Sequence, residues 1–399
     1  MSVESASTSP ALLRRGGALR GIVALNGVSA LAQIGQYGIP FVLFPLALES
    51  RGVAAWRIGV VGSALWVGML LGLLLAPGVV QRLGHRATVL AGLAASGSAL
   101  LATPALPPLA WALTAGATGF GLGLRWIGLE TWLYRVVPNE ARGRLVGLHE
   151  ALLGVAAVAG PALIALLGAS ADVCFVASAA FVAAAALPLP LAHAIRLAPV
   201  PAPAREPRSA AAKLAALRHF LTLGALIAGL GGVIEGAWLA VFPVYAAARG
   251  LAPAQTAGLL TLFGIGAMLL QFPLGWLADA AGLRKAALLA AAVTLLGALA
   301  TGLAQPGGHA LAALMLVLGG TINGFLTLGL IAATQSADPA RLTGEVSRVS
   351  ITYTGLSTLG PLAAGALASS FGPASLMAFT VALAAALIGC IVSPSVSKR

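Results

Sequence analysis

The chain has 399 residues, of which 59% are apolar and only 9% are charged, and its mean hydropathy is +0.97. A soluble globular domain carries roughly 25% charged residues, so this composition argues against a soluble enzyme or binding domain and places the chain in a lipid bilayer. The net charge of +12 is also typical of nucleic-acid-binding proteins. Here the basic residues are scattered over short loops, and we expect no nucleic-acid partner.

Apolar segments long enough to cross a bilayer, each about 20 residues or more, follow one another along the chain. Such long runs are typical of helices, because a backbone in lipid must satisfy its own hydrogen bonds. The twelve predicted spans are residues 20–48, 55–80, 85–104, 107–136, 141–168, 172–195, 215–248, 252–279, 284–304, 309–336, 341–369 and 372–394. The sequence therefore predicts an all-α membrane protein with twelve transmembrane helices.

The spans divide into an N-terminal six-helix bundle at 20–195 and a C-terminal six-helix bundle at 215–394. A Pro-rich segment with several charges separates them, and we interpret residues 196–214 as a cytoplasmic linker. Residues 1–19 and 395–399 are predicted to be cytoplasmic tails. With both ends cytoplasmic, 19 of the 23 Lys and Arg lie on the inside, and this asymmetry favours that orientation.

The loops are short, and none is long enough to hold a soluble catalytic domain. Cys174 and Cys390 are isolated, so they provide neither a disulfide framework nor a zinc pattern. Intramembrane His and Asp are too sparse for a lipid-modifying active site. We therefore expect no enzyme activity, no metal and no cofactor.

The chain contains an approximate copy of itself, displaced by 198 residues. Six residues of the first half and their counterparts in the second are Phe44, Pro45, Arg51, Gly52, Gly84 and Arg86, and Phe242, Pro243, Arg249, Gly250, Gly282 and Arg284. Farther along the displacement is 200, and Gly160-Pro161 returns as Gly360-Pro361. Two parallel repeats related by an axis along the membrane normal are typical of transporters that rock two bundles.

The loop after the eighth span contains a short run of small, acidic and basic residues. Its key positions are Gly275, Asp279, Gly282 and Arg284. In a duplicated twelve-span chain this run resembles the loop motif of the major facilitator superfamily, and the whole chain is similar to bacterial drug and small-solute transporters of that superfamily. The resemblance implies the superfamily fold, a monomer, and a bacterial cytoplasmic (inner) membrane location.

In that family the motif Asp belongs to a charge network that latches the closed cytoplasmic side. The matching first-half segment keeps Gly84 and Arg86 but has Gln81 at the position of the Asp. The resemblance therefore implies a latch through Asp279 and Arg284 in the second half.

The Gly-Pro pairs of the fifth and eleventh spans resemble a signature common among exporters of the superfamily. Gly160-Pro161 and Gly360-Pro361 also suit close helix packing and a local bend, which is the alternative interpretation. The resemblance favours efflux.

The first span carries a polar stripe. Asn26, Ser29, Gln33, Gln36 and Tyr37 have the spacing of one helix face and fit an arc of roughly 100°. The stripe predicts the lining of a water-filled cavity, and the alternative is hydrogen bonding between helices. The family resemblance implies that the first, fourth, seventh and tenth spans line the cavity, and the tenth offers Asn323 and Thr327.

Two ionisable residues lie near mid-depth in the other lining spans. Glu235, with Trp238 on the same arc, aligns with Tyr37 in the internal repeat. Burial in hydrocarbon disfavours its ionised form, so it is a candidate proton carrier; the alternative is a structural carboxylate. Arg125 needs a counter-ion, and Glu235 is the nearest candidate by depth.

The fourth span also contains Trp126 and Glu130. Glu130 lies about 140° around the helix from Arg125 and nearer the cytoplasmic edge, and a structural role suits it as well as a functional one. Trp126 shares its side of the helix.

Together these features predict a secondary active transporter that moves a small organic solute by alternating access, most simply by proton-coupled efflux. The alternatives are a proton-coupled uptake symporter and a non-transporting membrane receptor or assembly subunit. The expected partners are a small solute, H⁺ and the lipid bilayer.

Overall fold

The computed structural model describes residues 16–136, 142–168, 170–194, 222–304, 308–336 and 342–393. Within these ranges the chain is helical and forms no β-strand. The predicted linker 196–214, the tail 395–399 and residues 1–15 of the N-terminal tail lie outside the described residues.

Twelve helical segments of membrane-spanning length follow one another in the described ranges. The first six are α1, formed by Gly16–Gln33, Ile34–Gly38 and Pro40–Glu49; α2 and α3, the arms 55–83 and 85–102 of Ala55–Ala102; α4, Trp111–Val136; α5, Arg142–Leu167; and α6, Ala171–Ala184, continued by Leu189–Ala194. The second six are α7, Leu223–Ala248; α8, Pro253–Ala281; α9, Leu283–Leu299, continued by Ala300–Ala304; α10, Gly308–Ser336; α11, Leu342–Ser357 and Leu359–Phe371; and α12, Ser375–Val392. The predicted all-α architecture of two six-helix halves is confirmed.

Hydropathy and length support the membrane location of this bundle. Among the described residues eight helical segments are long and apolar enough to cross a membrane, and one of them contains both α2 and α3. The helices outside that set, α4, α5 and α11, carry more charged and polar residues, among them Arg125, His149 and Tyr353.

Helix α1 changes its winding in the middle. Ile34–Gly38 forms a π-turn, in which the amide of Ile39 donates to the carbonyl of Ile34 at 2.9 Å. Such turns insert one residue and loosen the local ladder. The hydroxyl of Ser178 in α6 donates to the carbonyl oxygen of Gly35 at 2.7 Å, so a neighbouring helix satisfies a carbonyl of the turn.

The two halves use the same tight turns. Gly84, between α2 and α3, has φ 79° and ψ 166°, and Gly282, between α8 and α9, has φ 93° and ψ 146°. This backbone region is essentially open to glycine alone. The glycines of the loop motif are therefore required by backbone geometry, and the repeat seen in the sequence is also a repeat of structure.

The ends of the bundle are named here by their turns: the Gly52 end carries the turns at Gly52 and Gly250, and the Gly84 end carries those at Gly84 and Gly282. The interface between the halves is called the seam. At the Gly52 end the amide of Trp56 donates to Ser369 Oγ at 2.9 Å. Deeper, Ser63 Oγ donates to the carbonyl of Thr358 at 2.7 Å. These bonds hold the halves together from the Gly52 end toward mid-depth.

Both Gly-Pro pairs lie where two helices approach closely. Gly160 of α5 packs against the backbone of Gly38 in α1, and Gly360 of α11 packs against the backbone of Val233 and Ala237 in α7. A methyl group at either glycine would overlap those backbone atoms. The second pair has a further role, because Pro361 also lies at the seam, against Gly59 of α2.

Candidate functional site

Two ionisable side chains are buried near the middle of the bundle. Arg125 of α4 is 1% exposed and Glu235 of α7 is 2% exposed. Glu235 lies 12 residues after the start of α7 at Leu223, a depth of about 18 Å at about 1.5 Å per residue.

Arg125 is held by amide oxygens of its own half. Its Nε donates to Gln36 Oε1 at 2.9 Å and its Nη2 donates to Gln33 Oε1 at 3.0 Å. Gln36 in turn donates through Nε2 to Ser96 Oγ of α3 at 2.8 Å, and Ser96 Oγ donates to the carbonyl of Thr118 in α4 at 2.9 Å. The guanidinium therefore ties α1, α3 and α4 together.

The expectation that Glu235 is the counter-ion of Arg125 is wrong. Among the described residues no ion pair joins the two side chains, and the ion pair that the structure records there is Arg51 with Asp172, at 3.1 Å. Depth along the helix was the basis of that expectation, but depth does not define the direction of a side chain around its helix. Two glutamine oxygens satisfy the guanidinium donors from within the N-terminal half.

Another member of the polar stripe also bonds within the N-terminal half. Asn26 donates through Nδ2 to the carbonyl of Ile22 at 2.9 Å, and its Oδ1 lies 2.9 Å from Nδ1 of the buried His149 in α5. For Asn26, Gln33 and Gln36 the structure favours the alternative of hydrogen bonding between helices.

Glu235, in contrast, bonds across the seam. The phenol of Tyr37 in α1 donates to Glu235 Oε1 at 3.1 Å. The phenol of Tyr353 in α11 donates to Oε2. One carboxyl group therefore accepts a hydrogen bond from each half of the molecule.

Tyr37 and Glu235 occupy equivalent positions of the repeat, 198 residues apart. A residue that touches its own counterpart in a two-fold arrangement must lie close to the axis that relates the halves. The carboxyl group is thus near the pseudo-two-fold axis as well as near mid-depth.

Aromatic rings surround this carboxyl group. Tyr37 packs on Phe41 with centroids 4.5 Å apart, and Phe41 packs edge-on to Trp66 at 5.0 Å. Trp66 of α2 meets Tyr353 edge-on at 6.1 Å, which is a second aromatic contact across the seam. Sequence reasoning missed Tyr353, because the family resemblance pointed to four other spans. Its only sequence signal was its place among the hydroxyl-bearing residues 350–354 of α11.

Trp238 points into the C-terminal half. Its Nε1 donates to Thr380 Oγ1 of α12 at 2.9 Å, and its ring stacks on Phe242 and Phe263 at 5.5 and 5.9 Å. Four further predicted residues are half-buried and share no contact with Glu235 among those described: Trp126, Glu130, Asn323 and Thr327. Of these, Asn323 donates to the carbonyl of Gly319 in its own helix at 3.0 Å.

The loop-motif residues lie at the Gly84 end. Asp279 is exposed, Arg86 and Arg284 are half-buried, and Gly275 faces Ile331 of α10. Within the described ranges no ion pair joins Asp279 to Arg284. A latch through these two charges is not formed in this conformation.

The chemistry available at the seam is that of a carboxyl group with two phenol donors in an aromatic enclosure. Such a group can take up and release a proton, or accept hydrogen bonds from a solute. Nowhere in the part of the chain that the structure describes do three His, Cys, Asp or Glu side chains gather to hold a metal ion.

Comparison with known proteins gives one consistent pattern. The family model described as Major Facilitator Superfamily matches residues 26–259 and 221–397. The uncharacterized MFS-type transporter YfkF of Bacillus subtilis is 25% identical over 367 residues, which are 90% of each chain.

Solved structures show the same fold. The nucleoside transporter NupG superposes with a TM-score of 0.74 at 14% identity, over 96% of this chain and 100% of that one. A D-xylose-proton symporter superposes with a TM-score of 0.71 at 12% identity, over 96% and 99%.

Proposed function

The chain belongs to the Major Facilitator Superfamily, and from this premise we propose that it exchanges protons for a small organic solute by alternating access, in the direction of efflux. The resemblance inferred from the loop motif is confirmed, and the protein is a multi-pass membrane transporter rather than an enzyme. Proton coupling, direction and solute class are the proposal.

The observation that carries proton coupling is the position of Glu235. It is a buried carboxyl group near the axis between the halves, and it accepts hydrogen bonds from both of them. A group that binds protons in that place changes its surroundings whenever the halves move. Arg125, sealed inside one half, is assigned to the framework that orients α1.

Alternating access is supported by the pattern of contacts at the seam. The polar contacts between the halves run from the Gly52 end to mid-depth. We assign the Gly84 end to the cytoplasm, because that orientation places 19 of the 23 Lys and Arg inside. The conformation is then closed to the outside, and the absent Asp279–Arg284 pair agrees with a cytoplasmic side that is not latched.

The enclosure suggests the class of solute. Four aromatic rings surround a single carboxyl group: Tyr37, Phe41, Trp66 and Tyr353. Aromatic faces attract organic cations, and the carboxylate offers a counter-charge. We propose an organic cation or zwitterion with an apolar body, carried by a monomer in a bacterial cytoplasmic membrane with both termini inside.

Direction depends on the Gly-Pro pairs alone. Gly160-Pro161 and Gly360-Pro361 pack helices closely, as described above, and their resemblance to an exporter signature favours efflux. Uptake by proton symport is the second candidate, and it is favoured by the likeness to a D-xylose-proton symporter.

The test uses purified protein in liposomes with an entrapped pH indicator. A thermal-shift panel of organic cations and zwitterions selects the probe solute. Its flux is then measured under a pH gradient of either sign. Proton movement opposite to solute movement is expected, and movement in the same direction would establish symport.

Glu235→Gln is expected to abolish proton-coupled flux while the protein stays folded, because the amide cannot exchange a proton. Asp172→Asn is the matched control: it makes the same chemical change at the outer end of α6, where the carboxylate pairs with Arg51. Unchanged coupling in Glu235→Gln would refute the proposed role of this residue.

A further inference from the structure

The two phenols that donate to Glu235 belong to different halves of the molecule. Tyr37 is in α1 of the N-terminal half, whereas Tyr353 is in α11 of the C-terminal half, as is Glu235 itself in α7. When the halves separate at this depth, the bond of Tyr37 must break, and the bond of Tyr353 can persist.

We propose that Tyr37 is the positioning residue that makes opening of the Gly52 end depend on the occupancy of the Glu235 carboxylate. This inference rests on the proposed function of Glu235. An empty, ionised carboxylate holds Tyr37 and keeps the outer side closed. A proton on the carboxyl group, or a solute group bound to it, releases Tyr37.

The physical basis is the strength of the hydrogen bond. A bond from a neutral donor to an ionised carboxylate is roughly twice as strong as the same bond to a neutral acceptor. Protonation therefore weakens the tie across the seam and favours separation of the halves by about fivefold.

The other polar bonds across the seam do not respond to protons. Trp56 with Ser369 and Ser63 with Thr358 join backbone groups to hydroxyl groups, and none of these titrates near neutral pH. Among the bonds described between the halves, the bond of Tyr37 is thus the one whose strength depends on protonation.

The N-terminal half holds Tyr37 firmly enough to act in this way. The preceding residue, Gln36, is fixed by Arg125 and Ser96. The carbonyl of Gly35 is fixed by Ser178. The π-turn therefore delivers the phenol to the seam from a braced backbone.

Few other groups face Glu235. The titratable side chains that the structure places against it are Tyr37 from α1 and Tyr353 from α11. The neighbours from α2 and α10 are Trp66, next to Gly236, and Phe325, next to Gly231, and neither titrates. The pH response is therefore assigned to the carboxyl group.

The experiment measures opening of the Gly52 end without a solute. Spin labels on Ala54→Cys and Ala254→Cys, exposed positions on opposite halves, report the distance across the outer end from pH 9 to pH 5. Cys174 and Cys390 are replaced by Ala. In this background we expect the open fraction to rise about fivefold as the pH falls.

Tyr37→Phe removes the tie and keeps the ring. Its open fraction is expected to be high at every pH, with the pH response lost. Tyr353→Phe is the matched control, because it deletes the other phenol donor to the same carboxyl group and should keep the pH response. Tyr37→Leu gives a second test should Tyr37→Phe fail to fold.

The outcomes separate the inference from the proposed function. A Tyr37→Phe protein with the full pH response overturns the role of Tyr37, even where Glu235→Gln has lost both the response and coupled flux. A Glu235→Gln protein with intact coupled flux overturns the proposed function itself. Equal loss of response in Tyr37→Phe and Tyr353→Phe also overturns the inference, since the bond across the seam would then have no special effect.

Discussion

In the N-terminal half the buried charge of Arg125 is bonded to Gln33 and Gln36 of the same half. In the C-terminal half the buried Glu235 is bonded to Tyr37 of the opposite half as well as to Tyr353 of its own. Both side chains are almost fully buried and lie at similar depth. They differ in the half to which their partners belong.

This difference refines a common rule about membrane proteins. An ionisable residue inside the membrane is a functional candidate by default. Here the half that supplies its partners decides between framework and moving interface. A charge satisfied within one half moves with that half, whereas a charge shared between halves loses a partner when they separate.

The Gly-Pro pairs show the same division. Gly160 packs α5 on α1 inside the N-terminal half, while Pro361 packs against Gly59 and Gly62 across the seam. The repeat has therefore kept the close helix packing in both halves, and the second copy alone contributes to the seam in these contacts.

The largest effect on stability is expected from Arg125→Met. The substitution leaves the Oε1 atoms of Gln33 and Gln36 buried without their donor, and each such loss costs about 1–3 kcal/mol. We expect the free energy of unfolding to fall by about 3 kcal/mol, measured by denaturant unfolding in detergent. Arg125→Lys should recover little, because an ammonium lacks the planar fork that reaches both oxygens.

Arg57→Met is the control for Arg125→Met. Arg57 is exposed at the Gly52 end, with its guanidinium 5.1 Å from the ring of Trp56, and its loss should change stability by less than about 0.5 kcal/mol. An Arg125→Met protein that unfolds like the wild type but has lost coupling would break the comparison and move Arg125 into the transport pathway.

A smaller effect is expected at the two equivalent turns. Gly84→Ala and Gly282→Ala force a side chain into a backbone conformation that costs about 1–3 kcal/mol. Since both glycines have nearly the same dihedral angles, the two losses in unfolding free energy should agree within about 0.5 kcal/mol.

Gly78→Ala is the matched control for the turns. Gly78 is a helical residue of α2, and an added methyl group there would meet nothing within 4 Å. Its substitution should be neutral or stabilising by up to about 1 kcal/mol. Unequal losses at Gly84 and Gly282 would show that the repeat is less symmetric in energy than in geometry.

Sequence reasoning located the helices well because hydropathy and the need for internal backbone hydrogen bonds determine them. The eighth span, expected at 252–279, is Pro253–Ala281. The internal repeat correctly predicted that Gly84 and Gly282 are equivalent, and it paired Tyr37 with Glu235, which are in contact.

The direction of side chains was harder to predict. The stripe in α1 assumed about 100° per residue throughout, but the π-turn at Ile34–Gly38 inserts one residue. Beyond it Tyr37 meets the opposite half, while Gln33 and Gln36 meet Arg125. No local sequence signal predicted that turn, so the separation of these side chains could not be foreseen.

The smallest effect is expected from Trp238→Phe. The substitution deletes the bond from Nε1 to Thr380 Oγ1, and Thr380 keeps its own bond to the carbonyl of Leu376 at 2.8 Å. The loss of one satisfied bond should lower the free energy of unfolding by about 1 kcal/mol.

Solute flux should stay unchanged in Trp238→Phe, because the indole packs against α8 and α12 and away from the seam. Trp66→Phe provides the contrast: its indole touches Tyr353 across the seam, so its loss should alter flux. Reduced flux in Trp238→Phe at unchanged stability would restore the sequence prediction that Trp238 lies on the solute pathway. It would also mean that the solute reaches farther into the C-terminal half than the carboxyl group of Glu235.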